Sequence, residues 1–400
     1  MALTESSSGV RPNNRKLSDL RVLIVGNNNS GSAPIRAYRF LREEGRARAV
    51  TFIGHPLAEE KVRRSLGMRF DAASGQERKV EVRREKSLGL ISYAIDLVIT
   101  LALLVRFFAR YDLYIGSNAH LGLFGLLLRR LGLVRQTVFW TVDYFPNRYR
   151  NPILNRLYLW LDELCVRRSD FAWDLTAAMS EARHQRGVTD RDGRVYTVPH
   201  PIERHELRPP EVEPPPDTLL YSGLIKPEYG FDLILEVLGR VAERRPKVSL
   251  TVTTYGSFPP DLERVLRQRG LWERLHSLGY IDDIEEYRRV IEGHRVGLAP
   301  YQPSADSYKR FADVSRAKTY MARGLPVIIT RVPPIAAEIE RAGAGIVIDY
   351  DAEQLAQAIL KLLSDEEFYR RCRESALALA QEYAAERVFS AAFQRMGIGL

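Results

Sequence analysis

Cysteine is nearly absent from this 400-residue chain: Cys165 and Cys372 are the two present, and neither sits in a metal-ligand or redox spacing. That excludes a disulfide scaffold and points to a reduced, cytoplasmic setting. The first twenty residues are polar and hold no apolar core, so no secretory leader is expected, and Met1 to Asp19 reads as a disordered tail. Long apolar runs are missing too, with one near-exception. Leu88 to Val105 approaches the length of a spanning helix, but Asp96 in its middle argues against insertion. A buried or surface-docked helix is the first reading of this run, and contact with a membrane surface is the second. Acidic side chains are the minority, 50 against 59 basic ones for a formal charge of +9, and arginine greatly outnumbers lysine. Such a surface suits nucleic acid, an anionic membrane or phosphate ligands. Basic and aromatic residues do not interleave as nucleic-acid modules require, so no nucleic-acid partner is expected. No short-period repeat is present.

What is there is an alternation of strands and helices. Four hundred residues exceed one typical core, so two domains are expected. In residues 20–200, Arg21 to Gly26, Ala49 to Ile53, Leu113 to Gly116 and Thr137 to Val142 read as buried strands. Helices lie between them, notably Pro34 to Glu44, Leu121 to Leu131 and Pro152 to Arg168, and Val195 to Val198 closes this half. Residues 201–216 are a proline-rich linker. The pattern restarts at 217 and runs to 378, with strands Thr218 to Gly223, Val248 to Val252, Val296 to Ala299 and Val327 to Ile329. A terminal helical segment, 379–400, follows. The reading is α/β: two Rossmann-like domains, each a doubly wound parallel sheet, facing a central cleft that holds the ligand.

One segment concentrates chemistry. Ser315, Arg316 and Lys318 open a helix that leads through Gly324-Leu325-Pro326 into the apolar run Val327 to Ile329. Hydroxyl and cationic side chains beside free N–H groups at a helix start suit a nucleotide diphosphate at the carboxyl edge of a parallel sheet. Asp143 ends the strand Phe139 to Val142, where a carboxylate either takes a proton from an acceptor hydroxyl or serves as a helix cap or a partner of Arg148 or Arg150. The loop Gly26 to Ser32, with Asn28, Asn29, Ser30 and Gly31, is not a GxGxxG match. Gly54-His55 stands where a nicotinamide site would want an acid, so nicotinamide is not expected. Asp313 reads as a helix N-cap, and so do Asp282 and Asp283. Asp349-Tyr350-Asp351 is a formal DxD, but it precedes a helix and reads as capping, so no metal is expected.

These segments resemble GT-B glycosyltransferases over roughly residues 20 to 396. Ala312 to Ile329 is similar to their donor-phosphate segment, a Ser-Lys or Ser-Arg pair before a helix ending Ala-x-Gly-x-Pro-Val. Phe139 to Tyr144 resembles the strand end of the inverting, xanthan-type glucuronosyltransferases, where an aspartate is the base. Retaining relatives carry a histidine near this strand, whereas His120 follows a different one. Ser222 to Gly230 resembles the retaining family's Gly-Arg-Leu…Glu-Lys-Gly element, with Leu224 and Tyr229 in the cation slots and Lys226 as a replacement. The retaining family's paired glutamates are missing, their slots held by Phe311 and Thr319. Leu278 to Tyr287 is similar to the strand end that meets the nucleotide base, and Ala299-Pro300-Tyr301 to the one lining the donor site.

The resemblance implies a metal-independent transferase that uses a nucleotide-diphosphate sugar and no cofactor, with inversion favoured. Asp143 would be the base. Gly223, Lys226, Tyr280, Ile281, Tyr301, Ser315, Arg316 and Lys318 would meet the donor, and Asn28, Asn29, Ser30 and Gly31 would face the acceptor. The implied acceptor is a glycan or lipid-linked sugar, in cell-surface polysaccharide or glycoconjugate synthesis, in the cytoplasm or on an anionic inner membrane face. A non-catalytic nucleotide- or glycan-binding protein and a sugar-nucleotide epimerase are the alternatives.

Overall fold

The structure is a computed structural model that describes residues 15–28, 31–43, 46–56, 64–84, 90–190, 193–208, 210, 212–254, 261–281, 283–304 and 307–400. It divides into two compact units, Met1–Pro201 with Ala385–Leu400, and Ile202–Ala384.

In the first unit the strands are β1 (Arg15–Lys16), β2 (Arg21–Asn27), β3 (Ala49–His55), β4 (Arg64–Asp71), β5 (Gln76–Arg83), β6 (Tyr111–Ser117), β7 (Val134–Thr141), β8 (Phe171–Asp174) and β9 (Val195–Thr197). The helices are α1 (Ala33–Arg42), α2 (Leu90–Arg106), α3 (Ala119–Arg130), α4 (Pro152–Arg168) and α5 (Ala177–His184). The main sheet runs β5-β4-β3-β2-β6-β7-β8-β9. Its β3-to-β9 part is parallel, and β4 and β5 add an antiparallel hairpin at the edge. The expected strands are continuous apolar runs because both faces are covered. The hairpin escapes the sequence reading because β5 is Gln-Glu-Arg-Lys-Val-Glu-Val-Arg, a largely exposed edge with no apolar run.

Arg15–Lys16 lie inside the stretch expected as a tail, yet they pair in parallel with Ile398 and Gly399, and Leu17 is buried. The rest of that tail, residues 1–14, is outside the described residues. The helix Ala385–Arg395 packs within this unit: Phe389 meets Phe40 at 5.2 Å and Trp140 at 6.0 Å, and Phe393 meets Trp173 at 5.8 Å.

The second unit has strands β10 (Thr218–Ser222), β11 (Ser249–Thr253), β12 (Leu275–Gly279), β13 (Val296–Ala299), β14 (Val327–Thr330) and β15 (Gly345–Ile348). Its helices are α6 (Phe231–Arg244), α7 (Leu262–Gln268), α8 (Ile284–Glu292), α9 (Ser315–Ala322), α10 (Ile335–Ala342), α11 (Ala352–Ser364) and α12 (Glu366–Gln381). All six strands are parallel, in the order β12-β11-β10-β13-β14-β15. The order reverses between β10 and β13, and there the connections leave on opposite faces and open a crevice at the carboxyl ends.

The expected linker does not begin at 201 as a free spacer. Ile202 bridges to Ala384, Glu203 and Glu206 form a capping box, and the Arg323 guanidinium donates to the carbonyls of Arg208 (2.8 Å) and His205 (3.1 Å). Residues 202–208 therefore belong to the second unit.

Candidate functional site

The crevice of the second unit is built by β10, β13 and α9. Tyr320 of α9 accepts the Ser222 N–H at its hydroxyl (2.7 Å), and Gly223 N–H bonds the Thr253 carbonyl (2.8 Å). Gly223 has φ of +147°, and a Cβ there would collide with the Arg316 guanidinium. The positive φ, which L side chains rarely adopt, is what favours glycine here, and its missing side chain leaves room for the guanidinium.

Arg316, in the first turn of α9, lies among tyrosines. Its Cζ is 5.0 Å from the Tyr221 ring, 5.3 Å from Tyr301 and 5.6 Å from Tyr229. Its Nη1 is buried and has no hydrogen-bond partner among the described residues. A buried guanidinium N–H without an acceptor is costly, and an anion entering the crevice would supply the acceptor.

Lys309 joins this box, and the sequence reading missed it. It sits on the turn Tyr308–Arg310, with Nζ 4.3 Å from the Tyr229 ring, 4.4 Å from Tyr308 and 5.2 Å from Tyr301. A lone lysine on a short connecting turn carries no motif, and its place depends on tyrosines from other segments.

The structure separates the other donor-site candidates. Lys318, expected at the phosphate, is instead 2% exposed and ion-paired to Asp313 at 2.6 Å. Positions two apart on a helix point about 200° from each other, so Arg316 and Lys318 take different faces. Asp313, expected as an N-cap, holds this lysine, and Val314 occupies the cap position. Ser315 is exposed at the start of α9, and Lys226 is exposed on the loop after β10. Tyr301 is buried and forms a wall of the arginine box. Tyr280 and Ile281 follow β12, the outer edge strand, two strands away from β10, and Tyr280 is half exposed. Asp283 caps α8 through the Glu286 N–H (2.7 Å), and Asp351 caps α11 through the Gln354 N–H (2.8 Å). Asp282 lies outside the described residues.

The first unit holds its own cavity, of about 190 Å³, at the carboxyl ends of β6 and β7. Tyr93, His120, Asp143, Arg148, Leu154 and Tyr158 are among its lining residues. Asp143 is exposed, and both Arg148 and Tyr158 donate to its backbone carbonyl at 3.4 Å. No hydrogen bond or ion pair among the described residues engages its carboxylate. Asn151, not Asp143, caps α4, accepting from Ile153 and Leu154, while, against burial, the Asp143 charge acts on the nearby Arg148 guanidinium and helps to hold its pKa up.

Behind the cavity lies a buried polar cluster. Asp96 of α2 pairs with Arg84 at 2.6 Å and lies 3.4 Å from His55 and 4.0 Å from His120. Burial pushes the Asp96 carboxyl up to about 6 despite Arg84. Burial, together with Arg148 and Arg84, pushes His120 down to about 4, so its ring is neutral at pH 7. His120 stacks on Tyr93 at 4.4 Å, and its buried Nε2 has no hydrogen-bond partner among the described residues.

The loop after β2 reaches the same sheet edge. Asn28 bonds the His55 carbonyl through its N–H (3.0 Å) and the Arg64 carbonyl through its amide (2.5 Å), and Gly31 is half-buried. Asn29 and Ser30 lie outside the described residues.

With this geometry in hand, residues 216–365 match the family described as Glycosyl transferases group 1. A kanosaminyltransferase, "Alpha-D-kanosaminyltransferase" of Streptomyces kanamyceticus, is 28% identical over 162 residues, 40% of this chain and 40% of that protein. The aligned region thus spans well under half of that relative's length. Among solved structures, sucrose-phosphate synthase from Thermosynechococcus elongatus superposes with a TM-score of 0.69 at 16% identity, covering 94% of this chain and 99% of that one. HepE of Anabaena, solved with UDP, gives 0.63 at 12% identity, covering 94% and 99%. At these identities the structures speak for the fold, and the family match speaks for the second unit. Residues 216–365 thus match the Glycosyl transferases group 1 family model, and the chain as a whole shares the fold of these solved structures.

Proposed function

We propose that this protein moves a sugar from a nucleotide-diphosphate sugar to a glycan or lipid-linked acceptor, in cell-surface polysaccharide or glycoconjugate synthesis at the inner face of the cell membrane. The observation that carries this reading is Arg316. Its unpartnered Nη1 lies at the strand-order reversal, beside the bare backbone of Gly223 and the start of α9. A diphosphate oxygen would accept from that N–H, and the helix start and Lys309 add positive potential for the leaving nucleotide. HepE of Anabaena, of the same fold, has been solved with UDP and with UDP-glucose, which supports a nucleotide-sugar donor.

Asp143 is the proposed base. Its carboxylate, free of hydrogen bonds among the described residues, borders a cavity with room for a sugar hydroxyl, and direct displacement assisted by such a base inverts the anomeric centre. His120 supports a second reading, because its unpartnered, neutral ring lies on the same cavity wall.

The test is nucleotide affinity. Arg316→Ala should weaken UDP binding by about 1.5–3 kcal/mol, the scale of a charge-assisted hydrogen bond, in titration calorimetry. Unchanged affinity in a folded variant would remove the donor assignment. Tight donor binding with no transfer to any acceptor would favour the non-catalytic binder, and interconversion of the donor sugar would favour the epimerase.

Metal independence is a separate expectation. The leaving diphosphate is stabilised by Arg316, Lys309 and the α9 start, so transfer should survive excess chelator. Loss of activity restored by magnesium or manganese would reopen Asp349 and Asp351.

A further inference from the structure

Helix α2 is built inside out. Its outward residues Ile91, Val98, Leu101 and Val105 are 67%, 68%, 54% and 70% exposed, and Phe108 just beyond it is 69% exposed. With exposed Ala94 they follow one another at spacings of three and four, which is a single stripe along the helix. The inward face carries the polar groups. Asp96 meets Arg84, and the Thr100 hydroxyl lies 2.8 Å from the His55 ring, with Leu103 and Phe107 completing that face.

The helix is locked in this orientation. Rolling it to hide the apolar stripe would strip buried Arg84 and His55 of their partners. Among the described residues nothing covers this apolar stripe. At the end of α3, Leu127 (51% exposed) and Leu131 (63%) are exposed too. The ends of α2 and α3 pack on one core containing Leu103, Phe107, Leu128 and Val134.

Acids are few around this surface, and the two partly exposed ones beside it are paired, Asp112 with Arg135 (3.8 Å) and Asp170 with Arg129 (3.0 Å). No aspartate or glutamate occurs from Leu113 to Val142, and the only one from Leu90 to Tyr111 is the buried Asp96. Arg106, Arg110 and Arg130 are exposed and make no ion pair among the described residues.

We propose that this face docks on an anionic lipid surface, with the stripe inserted shallowly and the arginines on the headgroups. A second copy of the chain would bring the same arginine-edged face, whose bordering acids already hold Arg129 and Arg135, so it offers these cations no unpaired anion. No described helix is long and apolar enough to cross a membrane, so the contact is interfacial. The docking is read from this face alone, so its failure would leave the proposed sugar transfer standing.

The experiment is co-sedimentation of the full chain with vesicles. Binding is expected to phosphatidylglycerol-containing vesicles, to weaken with salt, and to be slight on pure phosphatidylcholine. The triple variant Val98→Ser, Leu101→Ser, Val105→Ser should abolish it while thermal unfolding and UDP affinity stay unchanged. Each of Arg106→Gln, Arg110→Gln and Arg130→Gln should lower the partition coefficient roughly fivefold. Absence of binding to either vesicle type overturns the proposal, and so does binding that the serine variant leaves intact. A dimer in analytical ultracentrifugation that the serine variant dissociates, without vesicle binding, would assign the stripe to a second copy instead.

Discussion

Lys318→Ala should destabilise the second unit by about 3–5 kcal/mol, because it leaves a buried carboxylate without its counter-charge. Lys318 and Asp313 have side chains 2% and 3% exposed and sit 2.6 Å apart, and the ammonium also lies 3.9 Å from the Tyr383 ring. Chemical denaturation should show the loss as a lowered midpoint of the transition assigned to this unit. The double variant Lys318→Met with Asp313→Leu should recover most of it, since exchanging a buried pair for apolar side chains is often neutral. UDP affinity of the folded Lys318→Ala protein should stay close to that of the parent, in contrast to Arg316→Ala. If Lys318→Ala instead unfolded normally and lost UDP affinity, the lysine would belong to the donor site and the division of labour drawn between these two cations would be wrong.

Asp143→Asn should lower kcat by about 10²–10⁴-fold, the usual contribution of a positioned general base. The amide keeps the carboxylate's shape but cannot take the acceptor proton. The Arg148 and Tyr158 bonds go to the Asp143 backbone carbonyl, so they survive the change and the loop should hold. Donor affinity, measured on the second unit's ligand, should be unaffected. The comparison variant is His120→Ala. Should Asp143→Asn turn over at the parental rate while His120→Ala loses activity, the base would be the imidazole. Because burial holds His120 down to about 4, its activity would then persist into mildly acidic buffer before falling.

The two units differ in how much of their site could be read from residue order. Around Gly223 and Arg316 the signals are local: a strand meeting a glycine, and a helix that opens with a hydroxyl and a cation. Those segments fold where expected, and the structure places Gly223 and Arg316 against each other. Lys309 gave no such signal. Its position depends on Tyr229, Tyr301 and Tyr308, which reach one another only through the pairing of β10 with β13. Lys318 shows the reverse failure, since a cationic residue next to the motif was assigned to the ligand when its partner, Asp313, lay five residues upstream. The edge hairpin β4–β5 and the strand at Arg15–Lys16 were illegible because exposed or very short strands leave no apolar run.

Residue order by itself determined most of the alternation of strands and helices, passing over β8 and β15, together with the apolar run with one acid inside it and the glycine and arginine of the candidate donor site. All of these are short-range patterns, fixed by side-chain period and by the backbone freedom of glycine. Only the tertiary structure decided which face of α2 turns outward, which of two neighbouring helical cations enters the crevice, and where the strand order reverses. Each of those depends on partners far away in the chain. Asp96 turns inward because Arg84 and His55 meet it there, Arg316 faces the crevice because Tyr221 and Tyr301 wall it, and the reversal exists because β10 pairs with both β11 and β13.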